Sequence, residues 1–494
     1  MENPAQQREF KRGLGLLDSV MIVVGIMIGS GIFIVSADIA RTVGSAGLLL
    51  VVWLITGILT LIAALSYGEL AAMMPHAGGQ YVFLREAYNP LVGFLYGWTF
   101  FMVIQTGTIA AVAVAFAKFS GVLIPGISDE NVLFSFFGVH ITTAQITAVL
   151  VIILLTWVNI MGLREGKTVQ NIFTLTKTAA LVGIILLGLL VVRNHEAIAA
   201  NLSHFWSATW THMQGDKIDY VEALSGWKIL AAIGAASVGS LFASDSWHDV
   251  AITAGEVVNP KKTLPRSLAM GVILVTVLYI LTNIAYVLLL PVVGDPNSTE
   301  VVGRGIQFAA ADRVGTAAAS MIFGNLATVI MALLIMVSTF GCTNGLILAG
   351  ARLYYAMAKD KLFFKRAAEL NKNSVPAFAL VIQAVWAGLL CFSGTYSDLL
   401  DYVIFAVLVF YVLTISGLFI LRKTRPDAER PYKAFGYPIL PGLYVLVAAF
   451  ICIDLLIYKP MYTWPGMIIV LIGIPIYFLW NIFNRNRTAP STTQ

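Results

Sequence analysis

The sequence predicts an all-α, polytopic membrane protein, and three observations lead to this prediction. Of its 494 residues, 59% are hydrophobic and 12% are charged, whereas soluble domains average roughly 25% charged residues. The mean hydropathy is +0.84. Apolar stretches recur throughout the chain, and about 20 apolar residues are enough for one helix to cross a bilayer core. These observations exclude a water-soluble enzyme and a nucleic-acid-binding protein.

Twelve stretches without formal charge predict twelve transmembrane helices. Lipid offers no hydrogen bonds to the backbone, so spans are helices or closed barrels, and uninterrupted apolar runs exclude barrel strands. The stretches are 19–37, 42–68, 87–117, 131–163, 178–192, 229–244, 267–294, 314–351, 373–397, 402–421, 434–453 and 460–484. The run 314–351 exceeds one crossing, so we expect that helix to tilt or to project into the cytoplasm.

The distribution of basic residues predicts that both termini are cytoplasmic. With the N-terminus placed inside, twenty-two of the 31 lysines and arginines fall on the cytoplasmic side, and Lys118 and Lys177 stay within spans. The other seven fall outside: Arg41, Arg193, Lys217, Lys228, Arg304, Arg313 and Lys459. This asymmetry satisfies the positive-inside rule and favours an even number of spans.

The first apolar segment is interrupted by Gly29-Ser30-Gly31. Glycine is unfavourable inside a helix, and two glycines flanking a serine at mid-span favour local unwinding, which frees backbone N–H and C=O groups at membrane depth. The alternative is close helix packing through small residues. We expect the helix to be unwound here.

The sixth segment carries charged side chains inside a predicted span, where burying charge in lipid is energetically unfavourable. Ser244, Asp245, Ser246, His248 and Asp249 follow one another within an otherwise apolar span, so they should face protein or a water-filled cavity. A discontinuous helix explains them. The first and sixth segments lie five helices apart, and an odd separation reverses orientation, as in an inverted repeat with paired broken helices at the bilayer midplane.

Paired broken helices predict the charge of a ligand. Exposed N–H groups at a half-helix N-terminus attract a carboxylate, and freed carbonyls accept hydrogen bonds from an ammonium. A zwitterion fits this pairing, and a free amino acid is the leading substrate class.

Lys177 is the third unusual feature, because a charge-free run to Arg193 follows it and it therefore lies deep in the fifth span. A lysine nearer a helix end, such as Lys118, snorkels to the interface, and we assign Lys118 no role. For Lys177 we expect an interior partner or a cage of carbonyls. A fixed ammonium there could take the place of a bound Na⁺.

An ordered set of motifs resembles the amino acid–polyamine–organocation superfamily, and within it the L-type amino acid transporters and bacterial serine/threonine exchangers. The motifs are Ile28-Gly29-Ser30-Gly31-Ile32-Phe33, Glu69-Leu70, Pro75, Gly78-Gly79-Gln80-Tyr81, Phe173-Thr174 with Lys177, Phe242-Ala243, Asp245, Trp247, Glu256-Val257-Val258-Asn259-Pro260, Leu264-Pro265, Ser338, Gly341, Asn344-Gly345 and Arg352. Each motif is weak alone, but together they span nearly the whole chain.

The resemblance implies a LeuT-like five-plus-five inverted repeat followed by two C-terminal helices. The expected segments are a tail (1–16), a first repeat (17–195), an outer loop (196–226), a second repeat (227–421), a cytoplasmic loop (422–438), helices 11 and 12 (439–483) and a second tail (484–494). The unwound parts of helices 1 and 6 then lie at mid-membrane.

The resemblance also implies site roles. The backbone N–H groups of Gly29, Ser30 and Gly31 bind the substrate carboxylate, and carbonyls of the two unwound segments bind its ammonium. Phe242 resembles the gate residue, and Lys177 matches the lysine of Na⁺-independent carriers. The expected substrate-binding set is Met27, Ile28, Gly29, Ser30, Gly31, Phe242, Ala243, Ser244, Asp245 and Ser246, with Tyr279, Asn344, His248 and Asp249 as secondary candidates.

Two departures from the family pattern bear on substrate and partners. Ser244 stands where relatives commonly carry an aromatic residue, and Ser246 replaces a glycine. They predict a roomier or more polar pocket, unless they only pack against neighbouring helices. Animal members attach an accessory heavy chain through a cysteine after the third helix. The loop 122–140 has none, so a free-standing carrier of a bacterial inner membrane is expected.

Together these features predict a Na⁺-independent exchanger of neutral L-amino acids. The alternatives are proton symport, in which Lys177, Asp245, His248 or Asp249 carries the proton, and a non-transporting sensor of the same fold. We expect no enzyme, because no nucleophile or phosphate-loop motif is found. Cys342, Cys391 and Cys452 lie in apolar runs, which predicts neither disulfides nor a metal site, and no cofactor is expected.

Overall fold

A computed structural model describes residues 9–128, 130–136, 139–191, 194–215, 217–392, 396–458 and 460–488. Arg193 and Lys459, which the charge analysis assigns to the outer face, lie outside the described residues, as do the first eight residues and the last six.

Helices dominate the described parts of the chain. They are α1 (Leu16–Met27), α2 (Ser36–Val43), α3 (Ala46–Met73), α4 (Gln80–Ala87), α5 (Pro90–Thr99), α6 (Gln105–Leu123), α7 (Thr143–Met161), α8 (Leu163–Leu186), α9 (His195–Ser203), α10 (Trp227–Ala243), α11 (Asp249–Ile252), α12 (Pro260–Leu289), α13 (Val301–Arg304), α14 (Val314–Phe323), α15 (Ala327–Lys359), α16 (Ala377–Leu390), α17 (Tyr396–Thr424), α18 (Ile439–Tyr458) and α19 (Pro460–Thr488).

Nine helical segments within the described ranges are long and apolar enough to cross a membrane. Three shorter apolar helices accompany them, namely α1, α10 and α16. Apolar side chains such as Leu150, Leu190 and Leu446 are exposed on the outside of the bundle, as expected for a surface that faces lipid rather than water. The chain is therefore an integral, polytopic membrane protein.

The run 314–351 does not form the single long helix that we expected. Gly324 adopts φ +57°, a left-handed conformation that ends α14, and α15 begins at Ala327. Glycine reaches this conformation without steric cost. The 33 residues of α15 still extend about 50 Å at the usual rise per residue, which is more than one bilayer core of about 30 Å.

Two short hairpins depart from the all-α prediction. Strand β1 (Val132–Phe136) pairs with β2 (Val139–Thr142), and β3 (Thr209–Gln214) pairs with β4 (Lys217–Ala223), both antiparallel. The second hairpin is rich in the aromatic and β-branched residues that favour strands. The second hairpin lies outside the predicted spans. The first lies within the stretch 131–163, so that predicted span is helical only from Thr143 onward.

The packing of α1 and α10 sets the position of the candidate site. Helix α1 lies against α8, α12 and α15, whereas α10 lies against α2, α3 and α18. Gly271 of α12 allows a close approach to α1, since a Cβ atom there would lie 2.5 Å from Cγ1 of Val23. The chain breaks that follow α1 and α10 are therefore enclosed by other helices.

Polar contacts anchor the chain before α1 and after the first break. At one end, the N–H of Leu14 donates to the Glu256 carbonyl at 3.0 Å, and the Glu256 carboxylate binds Arg352 through two hydrogen bonds of 3.0 Å. Both of these charged side chains are 1% exposed. At the other end, Arg41 donates to Asp312 at 2.7 Å. The first break lies along the chain between these two anchored segments.

Candidate substrate site

The first break is the stretch 28–35 between α1 and α2. Helix α1 ends at Met27, and Ile28 takes an extended conformation with φ −78° and ψ 92°. A single 3-10 turn over Gly31–Phe33 follows before α2 begins. The glycines, which have no Cβ, allow the chain to turn twice within a few residues. Ile28 to Phe33 are all buried.

The second break is the stretch 244–248 between α10 and α11. Ser244 ends α10, and Ser246 adopts φ +63°, which is unusual for a residue with a side chain and indicates local strain. The N–H of Asp245 donates to the Phe242 carbonyl at 3.1 Å. Phe242 is partly exposed, whereas Ala243 and the whole second break are buried.

The two breaks touch each other. A Cβ atom on Gly31 would lie 2.7 Å from the Cβ of Ala243, closer than real Cβ atoms approach. Tyr279 of α12 joins them from a third direction, because its hydroxyl oxygen lies 2.9 Å from the carbonyl oxygen of Met27 and 2.9 Å from that of Ala243. The phenol has one proton to donate, so it satisfies one of these carbonyls at a time.

Lys177 lies beside the first break and is 3% exposed. Its Nζ donates to the carbonyl oxygens of Gly25 and Ile28 in the α1 segment and, at 3.2 Å, to that of Ser338 in α15. The Ser338 hydroxyl lies 3.0 Å from the Ile28 carbonyl and 2.9 Å from that of Gly29. Lys118, in contrast, is exposed. The Lys177 ammonium thus occupies a cage of main-chain oxygens.

Several groups expected to bind substrate already have partners within the protein. The N–H of Gly29 donates to the Met27 carbonyl at 3.0 Å, the Met27 carbonyl accepts from Tyr279, and the Ile28 carbonyl accepts from Lys177. A carbonyl oxygen can accept two hydrogen bonds. A substrate ammonium would therefore share these carbonyls or displace a protein donor.

Ser244 and Asp245 line a small cavity on the side of α10 that faces α3, α17 and α18. Its volume is about 10 Å³, and Thr60, Tyr411 and Tyr444 contribute polar groups to its wall. That volume accommodates roughly one water molecule. The rest of the wall is largely apolar, with Leu241, Ile404 and Leu408 among its residues, and the cavity is too small for an amino acid side chain.

Asp245, His248 and Asp249 are brought together at and just after the second break, whereas the Lys177 ammonium binds carbonyls of the first. Tyr411 donates to Asp245 at 2.5 Å and lies 2.9 Å from Nδ1 of His248. Nε2 of His248 lies 3.6 Å from Oδ1 of Asp249. All these side chains are buried. Within the described residues, no group of three metal-ligating side chains has the arrangement of a metal site.

Asn344 lies outside both breaks. Its amide donates to the Gly166 carbonyl at 3.0 Å and to Gln170 at 3.1 Å, and its oxygen accepts from Asn159 at 2.9 Å. These partners belong to α7 and α8. The contacts indicate that Asn344 joins α15 to those helices.

Sequence reasoning missed the partners that come from distant helices. Tyr96 of α5 and Tyr411 of α17 contact the second break, and Gln105, which follows a π-helical turn, contacts Asp249 beside it. Ser338 was noted as part of a motif without a role. The sequence signal for such a partner is an isolated polar side chain in an apolar run, such as Gln105 after Phe100–Ile104, because a polar group there is costly in lipid.

Comparisons with known proteins identify the family of the chain. A family model described as amino acid permease matches residues 14–479. The chain is 31% identical over 470 residues to the large neutral amino acids transporter small subunit 2 of Mus musculus, covering 95% of this chain and 81% of that protein. It is 29% identical over 471 residues to the serine/threonine exchanger SteT of Bacillus subtilis, covering 95% and 96%.

A third relative is the b(0,+)-type amino acid transporter 1 of Mus musculus, 29% identical over 474 residues, with 95% of this chain and 88% of that protein covered. These relatives are transporters rather than enzymes. The match extends over almost the whole described bundle, including both breaks. The chain therefore belongs to the amino acid permease family of the amino acid–polyamine–organocation superfamily.

Proposed function

We propose that the protein is a Na⁺-independent exchanger of neutral L-amino acids that works by alternating access. The observation that carries the proposal is the position of the Lys177 ammonium, bound by carbonyl oxygens of Gly25, Ile28 and Ser338. Carbonyl oxygens from a broken helix and its neighbour are also the ligands that a monovalent cation would use. A tethered positive charge fills that role permanently, so no ion need bind.

Exchange follows from a permanent charge at this position. The ion that drives a transport cycle binds at one face of the membrane and is released at the other. The Lys177 ammonium stays tethered to the chain. The bound substrate is then the component whose presence changes the relative free energies of the states. We therefore assign the switch in access to occupancy by an amino acid on either face.

The two breaks supply complementary groups for a zwitterion. The N–H groups of Gly29, Ser30 and Gly31 are assigned to the carboxylate, and the carbonyls of Met27, Ile28, Phe242 and Asp245 to the ammonium. Tyr279 already bridges Met27 and Ala243, and an ammonium, with three protons, can satisfy both carbonyls where the phenol satisfies one. Phe242, partly exposed beside Ala243, is assigned as the gate.

The proposed topology has twelve spans. The nine long segments and the three shorter apolar helices make up two inverted repeats, 17–195 and 227–421, followed by helices 11 and 12 in 439–483. Both breaks then lie at mid-membrane. The basic residues place 1–16, 422–438 and 484–494 in the cytoplasm and 196–226 outside. We further propose a bacterial inner membrane and no accessory heavy chain.

Counterflow in proteoliposomes tests this proposal. Liposomes loaded with an unlabelled amino acid should accumulate labelled substrate, and a panel of all twenty amino acids defines the preferred class. Efflux of labelled substrate should require an amino acid outside. Efflux that proceeds without external amino acid and follows an imposed pH gradient would contradict exchange and favour proton symport. Binding without counterflow for any amino acid would indicate a sensor.

A further inference from the structure

A buried polar cluster at the second break has no role in the proposed exchange. It consists of Asp245, His248 and Asp249 together with Tyr96, Gln105 and Tyr411. We propose that this polar cluster is a proton-binding site, and that it releases a proton when an amino acid binds at the neighbouring breaks. The inference rests on the proposed function, because it concerns the same substrate and the same helix.

The contacts form one continuous chain. Tyr411 donates to Oδ1 of Asp245, and its oxygen lies 2.9 Å from Nδ1 of His248. Nε2 of His248 lies 3.3 Å from the hydroxyl of Tyr96 and 3.6 Å from Oδ1 of Asp249. Gln105 donates to Oδ2 of Asp249 at 3.0 Å. Three titratable side chains are thus linked through hydroxyl groups that can both donate and accept protons.

The surroundings offer no compensating positive charge. Tyr67 of α3 packs against His248 and Tyr411, Cys342 and Tyr354 of α15 face Asp249, and Tyr444 of α18 faces Asp245. All are neutral side chains. Among the described residues, neither carboxylate forms an ion pair with a lysine or an arginine, and Lys177 is bound to carbonyls of the first break.

Proton counting then identifies where the proton binds. Tyr411 gives its proton to Asp245, so its oxygen accepts from Nδ1–H of His248, and the tautomer follows from this chain of hydrogen bonds. Nε2 of His248 is then an acceptor. Oδ1 of Asp249 has no hydrogen-bond donor. With both carboxylates ionised and the imidazole neutral, the cluster would hold two uncompensated negative charges.

Burying two unpaired carboxylates costs several kcal/mol each. One proton placed between Nε2 of His248 and Oδ1 of Asp249 removes one negative charge and supplies the hydrogen-bond donor that Oδ1 lacks. The structure therefore favours a proton-loaded cluster. Because the groups interact, the proton belongs to the cluster as a whole rather than to one residue.

Substrate binding changes this balance through Asp245. Its main chain lies in the second break, where the substrate ammonium is proposed to bind, and its side chain belongs to the polar cluster. A positive charge placed beside the cluster stabilises its deprotonated form. A proton should therefore leave when the amino acid binds. The cavity of about 10 Å³ beside Asp245 and Tyr411 accommodates about one water molecule as a proton acceptor.

Calorimetry on the purified full-length protein tests the proposal. A preferred amino acid found by counterflow is titrated into it in two buffers of different ionisation enthalpy at the same pH. The difference in binding enthalpy gives the number of protons released, which we expect to be above zero and no more than one. A value of zero at every pH between about 5 and 8, the range in which imidazole-containing clusters titrate, would overturn the proposal.

The variant Asp249→Asn tests whether the released proton comes from the polar cluster. This variant keeps the hydrogen bond with Gln105 within reach and removes the charge, so the proton number should fall to near zero and the pH dependence of counterflow should flatten. The matched control is Asp454→Asn, a buried carboxylate on α18 outside the cluster, which should behave as the wild type. Wild-type proton release in Asp249→Asn would contradict the assignment.

Two further results separate a failure of the proton site from a misfolded variant and from a failure of the proposed function. If Asp249→Asn does not fold, Tyr411→Phe interrupts the same chain at its other end and should also reduce the proton number. Its retention of wild-type proton release would overturn the proposal. If counterflow fails with every amino acid, the proposed function fails, whereas counterflow without proton release refutes only the proton site.

Discussion

The two breaks are alike in backbone and opposite in chemistry. Each follows a buried apolar helix and is enclosed by neighbouring helices. At the first break, the permanent charge of Lys177 and the hydroxyl of Ser338 satisfy main-chain carbonyls. At the second, Asp245 and its neighbours build a network of titratable side chains. We therefore propose that a tethered ammonium stabilises the first break and that exchangeable protons stabilise the second.

The largest expected effect comes from removing the permanent charge. Lys177→Ala removes a donor from three carbonyl oxygens, of which that of Ile28 keeps the Ser338 hydroxyl, and each buried acceptor left unsatisfied costs about 1–3 kcal/mol. We expect counterflow to fall by roughly 100-fold or more. Lys118→Ala is the control, because it removes an exposed lysine from another apolar helix, and it should retain wild-type rates. Wild-type transport by Lys177→Ala would remove Lys177 from the mechanism.

The contact between the breaks should be the next most sensitive feature. In Gly31→Ala the added Cβ would lie 2.7 Å from Ala243, and relieving such overpacking costs about 1–3 kcal/mol. Substrate affinity should weaken by roughly 5- to 100-fold in a binding assay on purified protein. Gly183→Ala provides the control, since a Cβ there meets nothing within 4 Å. Equal affinities for the two variants would show that the close approach is unimportant.

A smaller effect is expected for the hydroxyl that supports Lys177. Ser338→Ala removes a hydroxyl whose single proton is shared between the carbonyls of Ile28 and Gly29 but leaves the ammonium in place. A net loss of about 0.5–1.5 kcal/mol should reduce the counterflow rate by roughly 2- to 10-fold. Ser320→Ala, which removes only a local bond to Ala317, should leave the rate unchanged. A loss as large as that of Lys177→Ala would mean that Ser338 has a direct role.

Local sequence predicted where the chain would be interrupted. Glycines around Ser30 and charged residues around Trp247 disagree with an uninterrupted apolar helix, so both positions were visible in the sequence. The end of α14 at Gly324 was not, because one glycine in a long apolar run is equally compatible with tight packing. The hairpin β3–β4 lies between the apolar runs. The hairpin β1–β2 lies inside the run 131–163, where a short apolar stretch does not distinguish a strand from a helix.

The side chains around each break could be predicted only in part. Lys177 was identifiable because a buried ammonium is costly in lipid. Tyr411 and Tyr96 were not, because a tyrosine in an apolar helix can equally face lipid, and their contact with His248 depends on how α17 and α5 pack against the second break. Tertiary packing, which leaves no local signal, determined the composition of the polar cluster.

The sodium dependence of counterflow tests the central claim most directly. Wild-type proteoliposomes are assayed in Na⁺-containing medium and in medium where a large organic cation replaces all Na⁺ on both sides. If the Lys177 ammonium fills the place of a bound ion, the two rates should be equal within error. A wild-type rate that collapses without Na⁺ and returns when Na⁺ is restored would contradict the account.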